Sequence, residues 1–487
     1  MNIQPFIFTM NKTIQTIEND WKLEAKLEDN KRYFYHTNVV DKLLSGNKAY
    51  VIGRKGSGKT AIAQNLITQT SHDRFSEKLT FKNFPFEELY TLKDEEYSQP
   101  NEYITIWKFV IYSQICKLMI KNENIPFDIR EKLSFLYKND IKNSLSRTLK
   151  NWISSSFGIQ ILGNGIDLSF QQDTAKNDKP WIERVNILED FLFQNLDFNS
   201  YIIVFDELDE DYKKVLEKKY NERYISLITS LFKAVQDIRS TFSEYKLYPV
   251  IFLRDDIYDL ITDADKTKWN DFKYNIEWNE QNIKKLIAFR ISRAIDPEGQ
   301  ILKFEQAWSK IIQPNLIGYG DRQSKQTDTF SYMIKSTLYR PRDIISYLKS
   351  CSEYYINLDN VKYISPSIIK KADKAFSNYL KSEISDEVSS ILPEINEVLD
   401  IFSKIRKQTL SIEEFETQYK ESLRLNEIKE ERSTSFILSI LFAFSVIGNQ
   451  PRQRNTQVFK YISPEARLNQ NEKIIVHRGL FKSLQIL

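Results

Sequence analysis

Residues 49–61 read AYVIGRKGSGKTA, and this stretch decides the fold. Ala49–Ile52 is apolar and strand-like. Gly53–Thr60 is a glycine-rich bend of the form G-x-x-x-x-G-K-[ST]. An Ala/Ile/Leu helix follows from Ala61 to Ile67. Strand, glycine loop and helix, in that order, make a cradle for a polyphosphate. Backbone N–H groups must all point inward, so glycine is needed where a side chain would block the approach or φ must be positive. Three of the chain's 12 glycines fall within these six residues, 53–58. Lys59 supplies a point charge to the β- and γ-phosphates, the Thr60 hydroxyl a ligand for Mg²⁺, and the helix start its positive dipole end. The expected binding residues are Gly53, Arg54, Lys55, Gly56, Ser57, Gly58, Lys59, Thr60 and Ala61.

Further along, Tyr201–Phe205 (YIIVF) is wholly apolar and runs into DELDED. A continuous apolar strand is buried on both faces, as in a parallel sheet. Ligands of such sheets bind at the carboxyl ends of strands. There Asp206 is expected to hold Mg²⁺ through water, and Glu207 to polarise an attacking water as general base. Asp209, Glu210 and Asp211 read as solvated acids, with Asp209 able to sit near the metal. Leu247–Leu253 (LYPVIFL) is another apolar strand, ending at Arg254-Asp255-Asp256, and Asp271–Trp278 a further strand.

Between Thr60 and Asp206 lie about 145 residues, whereas a βαβ unit needs roughly 30, so an insertion is expected over about 85–175. It reads as mostly helical, with Trp107, Val110, Ile111, Ile115, Leu118 and Met119 at helical spacing. A hairpin is expected around Gly163-Asn164-Gly165. From about 280 the pattern is helical, and Pro393 suggests a boundary near 395. The expected organisation is an N-terminal segment (1–45), a sheet domain (46–280), a helical lid (281–394) and a C-terminal domain (395–487).

Composition narrows the class. The 487 residues are 41% hydrophobic and 28% charged, with 31 Phe, 26 Tyr and 7 Trp, which excludes a disordered chain. Lys and Arg total 69 against 66 Asp and Glu, so net charge argues for neither a nucleic acid nor a membrane partner. Cys116 and Cys351 lie far apart, and His36, His72 and His477 are scattered. No zinc cluster or disulfide scaffold can be read, so the reducing cytoplasm is expected. Neither a signal peptide nor a membrane span is evident. The longest apolar run, Phe436–Ile447, reads as a buried helix.

GRKGSGKT, followed by VFDELDE, LRDDIYDLI and YRPRD, resembles bacterial P-loop ATPases near the KAP and STAND branches of the AAA+-like class. The resemblance covers about 35–350 and, more loosely, the C-terminus. It implies an α/β fold: a P-loop NTPase parallel sheet flanked by helices, the acidic strand next to the phosphate-loop strand, and a helical lid. It favours hydrolysis over phosphoryl transfer to a small molecule. Arg254 ends a strand where relatives place a polar γ-phosphate sensor, with a salt bridge to Asp255 or Asp256 as the alternative. Arg342 matches the lid arginine of the N-P-R motif. Arg340 replaces the Asn, so either arginine could reach the nucleotide. For Arg342, which follows the N1 residue Pro341, local pairing with Asp343 is the competing reading.

Residues 448–487 carry seven Lys/Arg against two acids. From 395, helices followed by two short strands, Val458–Ile462 and Lys473–His477, suggest a small winged-helix-like domain. Two readings stand: phosphate-backbone contact with DNA, or a packing module with a basic face. His477 reads as a strand end and turn. No nuclease or TIR-like effector pattern appears, nor an N-K-x-D guanine reader. The expectation is therefore an oligomeric or partner-bound Mg-ATPase, a switch or motor, with ATP preferred over GTP. The resemblance adds a role in defence against phage. The alternative is a nucleotide-regulated DNA-binding protein.

Overall fold

The computed structural model describes residues 11–69, 71–81, 86–90, 101–137, 160–162, 165–167, 181–209, 218–451 and 456–486. Its contacts divide the chain into two units. One comprises residues 36–54 and 59–276; the other comprises the N-terminal residues through Tyr35, residues 55–58 and residues 277–487.

The first unit contains strands β1 (Tyr50–Ile52), β2 (Arg74–Thr80), β3 (Gln160–Leu162), β4 (Gly165–Asp167), β5 (Ser200–Asp206), β6 (Leu247–Leu253) and β7 (Lys273–Asn275). Five of them form one sheet in the order β2-β5-β6-β1-β7, with every pair parallel. Every residue of β5 is buried, as its unbroken apolar run requires. Helices Asn38–Leu44 and Lys59–Thr68 pack together and on the strands; so do Ile104–Ile120 and Lys218–Thr241. The expected α/β class with a parallel sheet is therefore present.

One implied detail is overturned. The acidic strand β5 is not beside the loop strand β1, because β6 lies between them. β6 tolerates Pro249 in mid-strand for a geometric reason. Ile251 donates its N–H to Ala49 on the β1 side. Two residues earlier Pro249 faces the same side, before β1 has begun, so its missing donor breaks no ladder bond.

β3 and β4 pair antiparallel, with Leu162 opposite Gly165. Gly163 and Asn164, the expected turn, lie outside the described residues. Of the expected insertion, the described residues include helices Phe86–Tyr90, Ile104–Ile120 and Phe127–Leu136; much of the rest lies outside them. The edge strand β2 was not legible as a strand, since RFSEKLT neither alternates nor runs apolar.

The second unit is largely helical. Helices Lys12–Asp20, Glu280–Ile295, Pro341–Ile356 and Pro366–Val388 share one hydrophobic core, with Ile14, Ile17, Trp21, Ile287, Leu348, Phe376 and Leu380 inside it. Residues 11–35 thus pack with residues 277–487, while 36–45, expected in the same N-terminal segment, belong to the sheet unit. Arg290 fixes residues 11–35 in place. Its guanidinium lies 4.6 Å from the Trp21 ring and pairs with Glu28. A two-stranded hairpin, β8 (Leu316–Tyr319) with β9 (Lys325–Asp328), interrupts a stretch expected to be helical.

From Ile395 the order is helix (Ile395–Ile405), β10 (Thr409–Leu410), helices Ile412–Arg424 and Thr434–Ala443, then β11 (Ile447–Gln450) and β12 (Lys473–Val476). The three strands form an antiparallel sheet, β10-β12-β11. That is the element order of a winged helix. The strand expected at Val458–Ile462 shrinks to one bridge, Val458 to Asn449. His477 is core: its Nδ1 accepts from the Gly479 N–H, and Phe459 and Tyr461 flank its ring edge-on. Among the described residues, no helix is long and apolar enough to cross a membrane.

Candidate active site

β1 ends at Ile52, and the bend Gly53–Thr60 follows. Gly53 donates to the Leu253 carbonyl at the end of β6. Gly56 (φ 78°) and Gly58 (φ 100°) are both left-handed, as the cradle requires. A Cβ added at Gly58 would meet nothing within 4 Å, so open space lies beside the loop there. The Ser57 side chain is buried, and among the described residues its hydroxyl has no hydrogen-bond partner. Helix Lys59–Thr68 begins at the end of the bend. Thr60 and Ala61 stand in its first turn, partly exposed.

Lys59 curls back onto its own loop, donating from Nζ to the carbonyls of Gly53 (2.7 Å) and Arg54 (3.0 Å). Burial lowers its pKa below the ordinary lysine value, against the pull of Asp209, Asp255 and Asp206. A desolvated cation gains from an anionic ligand, which stabilises its charged form, although the carboxylates around Lys59 oppose that ligand.

Asp206 ends β5, its side chain buried. Burial pushes its pKa up; Lys78 and Lys59 pull it down, and Glu207 pushes it up again. Lys78 Nζ stands 3.4 Å from Asp206 Oδ2. Glu207 is partly exposed, and its backbone is left-handed, φ 61°. A non-glycine residue held there costs about 1–3 kcal/mol, a strain that collects at active sites.

Arg254 ends β6 with its guanidinium buried against carboxylates. Nε and Nη2 grip Asp256 at 3.0 and 2.6 Å, and Nη1 stands 3.6 Å from Asp209. Of the two readings of Arg254, the structure contains the salt bridge, and to Asp256. Asp255 Oδ1 accepts from the Asp256 N–H in the first turn of the helix that follows. Glu210 and Asp211 lie outside the described residues. Lys59, Asp206, Asp209 and Arg254 thus gather at the carboxyl ends of β1, β5 and β6.

Arg340 and Arg342 belong to the second unit, as does the loop tip 55–58. Arg340 is buried. Its Nε bonds both carboxylate oxygens of Asp343 at 3.1 Å, and Nη1 reaches Glu387 at 3.2 Å and the Lys55 carbonyl at 3.4 Å. Arg342 does not pair with Asp343, as one reading had it, because Arg340 already holds that carboxylate. Instead Arg342 bonds Glu383 at 3.3 Å, and Lys55 Nζ lies 3.8 Å from the same group. Trp278 donates its indole N–H to the Ser57 carbonyl at 2.9 Å. A Cβ on Gly56 would meet Arg342 Cβ at 3.4 Å, an ordinary contact, so the φ of 78° rather than crowding favours glycine at the tip. Sequence reasoning missed Lys78, Trp278, Glu383 and Glu387, for which no local motif exists.

The donor set fits Mg²⁺. A hydroxyl and a carboxylate are hard oxygen ligands, and Mg²⁺ completes its octahedron with water and phosphate oxygens. Among the described residues, no group of three or more His, Cys, Asp or Glu could hold a metal alone.

Residues 281–385 match the family model described as the FunZ-associated C-terminal helical domain. No curated protein matches the chain in sequence. Solved structures similar to it are distant. They include the ORC2 protein of Aeropyrum pernix in ADPNP–ADP complexes, at 12% identity and TM-score 0.41, covering 99% of this chain and 96% of that one. The Walker-type ATPase PABY2304 of Pyrococcus abyssi follows at 11% and 0.38, covering 97% and 100%. Drosophila ORC bound to DNA stands at 12% and 0.32, covering 100% and 96%.

Proposed function

We propose that this chain binds a nucleoside triphosphate with Mg²⁺ and hydrolyses it, and that it works as an ATP-driven switch or motor. The observation that carries the reading is the convergence of Lys59, Asp206 and Arg254 at the ends of three adjacent strands beside an open, left-handed glycine loop. The loop amides and Lys59 hold the phosphates. Thr60 and Asp206 hold the Mg²⁺, which neutralises phosphate charge when bound. Glu207 orients and deprotonates the attacking water. Arg254, released from Asp256, meets the γ-phosphate. Arg340 is too deeply committed to Asp343 and Glu387 to leave, so Arg342 takes the sensor role.

The test is a pair of variants. Lys59→Ala abolishes nucleotide binding, and Glu207→Gln leaves ATP bound but not turned over. Wild-type turnover in Glu207→Gln overturns the base assignment.

A second reading, nucleotide-controlled DNA binding, draws on the winged-helix order of residues 395–486. Yet the helix in the groove-reading position, Thr434–Ala443, exposes Ser435, Ser439 and Ala443 and no cation. Contact would fall to the segment between β11 and β12. A role in phage defence and assembly with copies or partners extend the first reading.

A further inference from the structure

We propose that Lys78 is a resident counter-cation for Asp206, holding the carboxylate until a metal–nucleotide complex displaces it. The inference rests on the reading of Asp206 as a metal-binding group.

Lys78 comes from β2, the edge strand beside β5. Thr80 stands opposite Asp206, and Lys78, two residues back on the same face, reaches diagonally to Oδ2 at 3.4 Å. The Lys78 side chain is 10% exposed and that of Asp206 3%, so water compensates neither charge. The other nearby cations are engaged elsewhere: Lys59 with the Gly53 and Arg54 carbonyls, Arg254 with Asp256 and Asp209. Asp206 in this state therefore takes its close positive partner from β2. A divalent ion arriving at the same carboxylate meets the ammonium at a few ångströms in a dry setting, where like charges repel strongly. Occupancy by one cation weakens the other, which is negative coupling. Lys78 so makes metal binding at Asp206 depend on the phosphates that accompany the ion.

The competing account is that Lys78 merely blunts an edge strand, a common use of lysine. Full-length protein separates the two. Mn²⁺ binding in the presence of ADP is measured by the loss of the free-ion paramagnetic resonance signal, with ADP binding in EDTA measured in parallel. Lys78→Met keeps the stem and removes the charge. It is expected to tighten Mn²⁺ binding by about fivefold or more, with metal-free ADP affinity unchanged, while Lys78→Arg stays close to wild type. In an Asp206→Asn background the Lys78→Met effect disappears. Should Lys78→Met fold poorly, that neutral double variant supplies the folded comparison, and Lys78→Gln replaces it in the wild-type background.

Unchanged or weaker Mn²⁺ binding in folded Lys78→Met overturns the proposal and leaves the nucleotide site intact. Absence of Mn²⁺–ADP binding in the wild type overturns both.

Discussion

Glu207 is a carboxylate placed at a backbone angle that glycine would hold more cheaply. The strain is tolerated because the buried strand before it fixes its position. Glu207→Gly is accordingly expected to raise unfolding stability by about 1 kcal/mol, read from denaturant midpoints, while hydrolysis is lost. A destabilised Glu207→Gly would show that the side chain itself is part of the packing. The sequence made Asp206 and Glu207 legible because an apolar strand ending in acids is a local pattern. It could not show the left-handed turn at Glu207, nor that Lys78, 128 positions away, closes on Asp206. Such pairs arise from strand register, which single-chain periodicity does not encode.

At the level of elements, two arginines three carboxylates apart in role illustrate what a motif hides. Arg340 and Arg342 flank Pro341 at the start of one helix, and nothing in the motif chooses between them. Burial does. Arg340 neutralises Asp343 and Glu387, whose side chains are 0% and 7% exposed. Arg340→Ala leaves both charges stranded and is expected to cost about 3–5 kcal/mol. Arg342, half-buried on Glu383, should cost under about 1 kcal/mol on mutation to Ala, while slowing ATP turnover. Thermal melts alongside turnover measurements check both. A mild melt for Arg340→Ala with lost turnover would reverse the assignment. Strand order was equally hidden. YIIVF and LYPVIFL are both apolar throughout, so nothing in either says which lies beside β1. β6 takes that place, and with it Arg254 comes to stand between the loop and the acids.

Across the whole molecule, the sheet unit was readable from its strands and loop. The second unit's makeup was not, because its N-terminal helix joins a core built from residues more than 250 positions later. Charge at this scale bears on the DNA reading. The basic residues of 448–487 include Arg452 and Arg454, which lie outside the described residues. If they touch phosphate, the logarithm of duplex affinity falls linearly with the logarithm of salt concentration, and reversing both charges reduces that slope by about 2. Absence of binding at low salt removes the reading.

The union of Ile14, Ile17 and Trp21 with helices beyond Glu280 also sets a timetable. On the ribosome, at about 5–20 residues per second, the first helix waits on the order of tens of seconds before its partners emerge. The sheet unit can close during that interval, while Ile14, Ile17 and Trp21 stay uncovered and open to capture by a holdase.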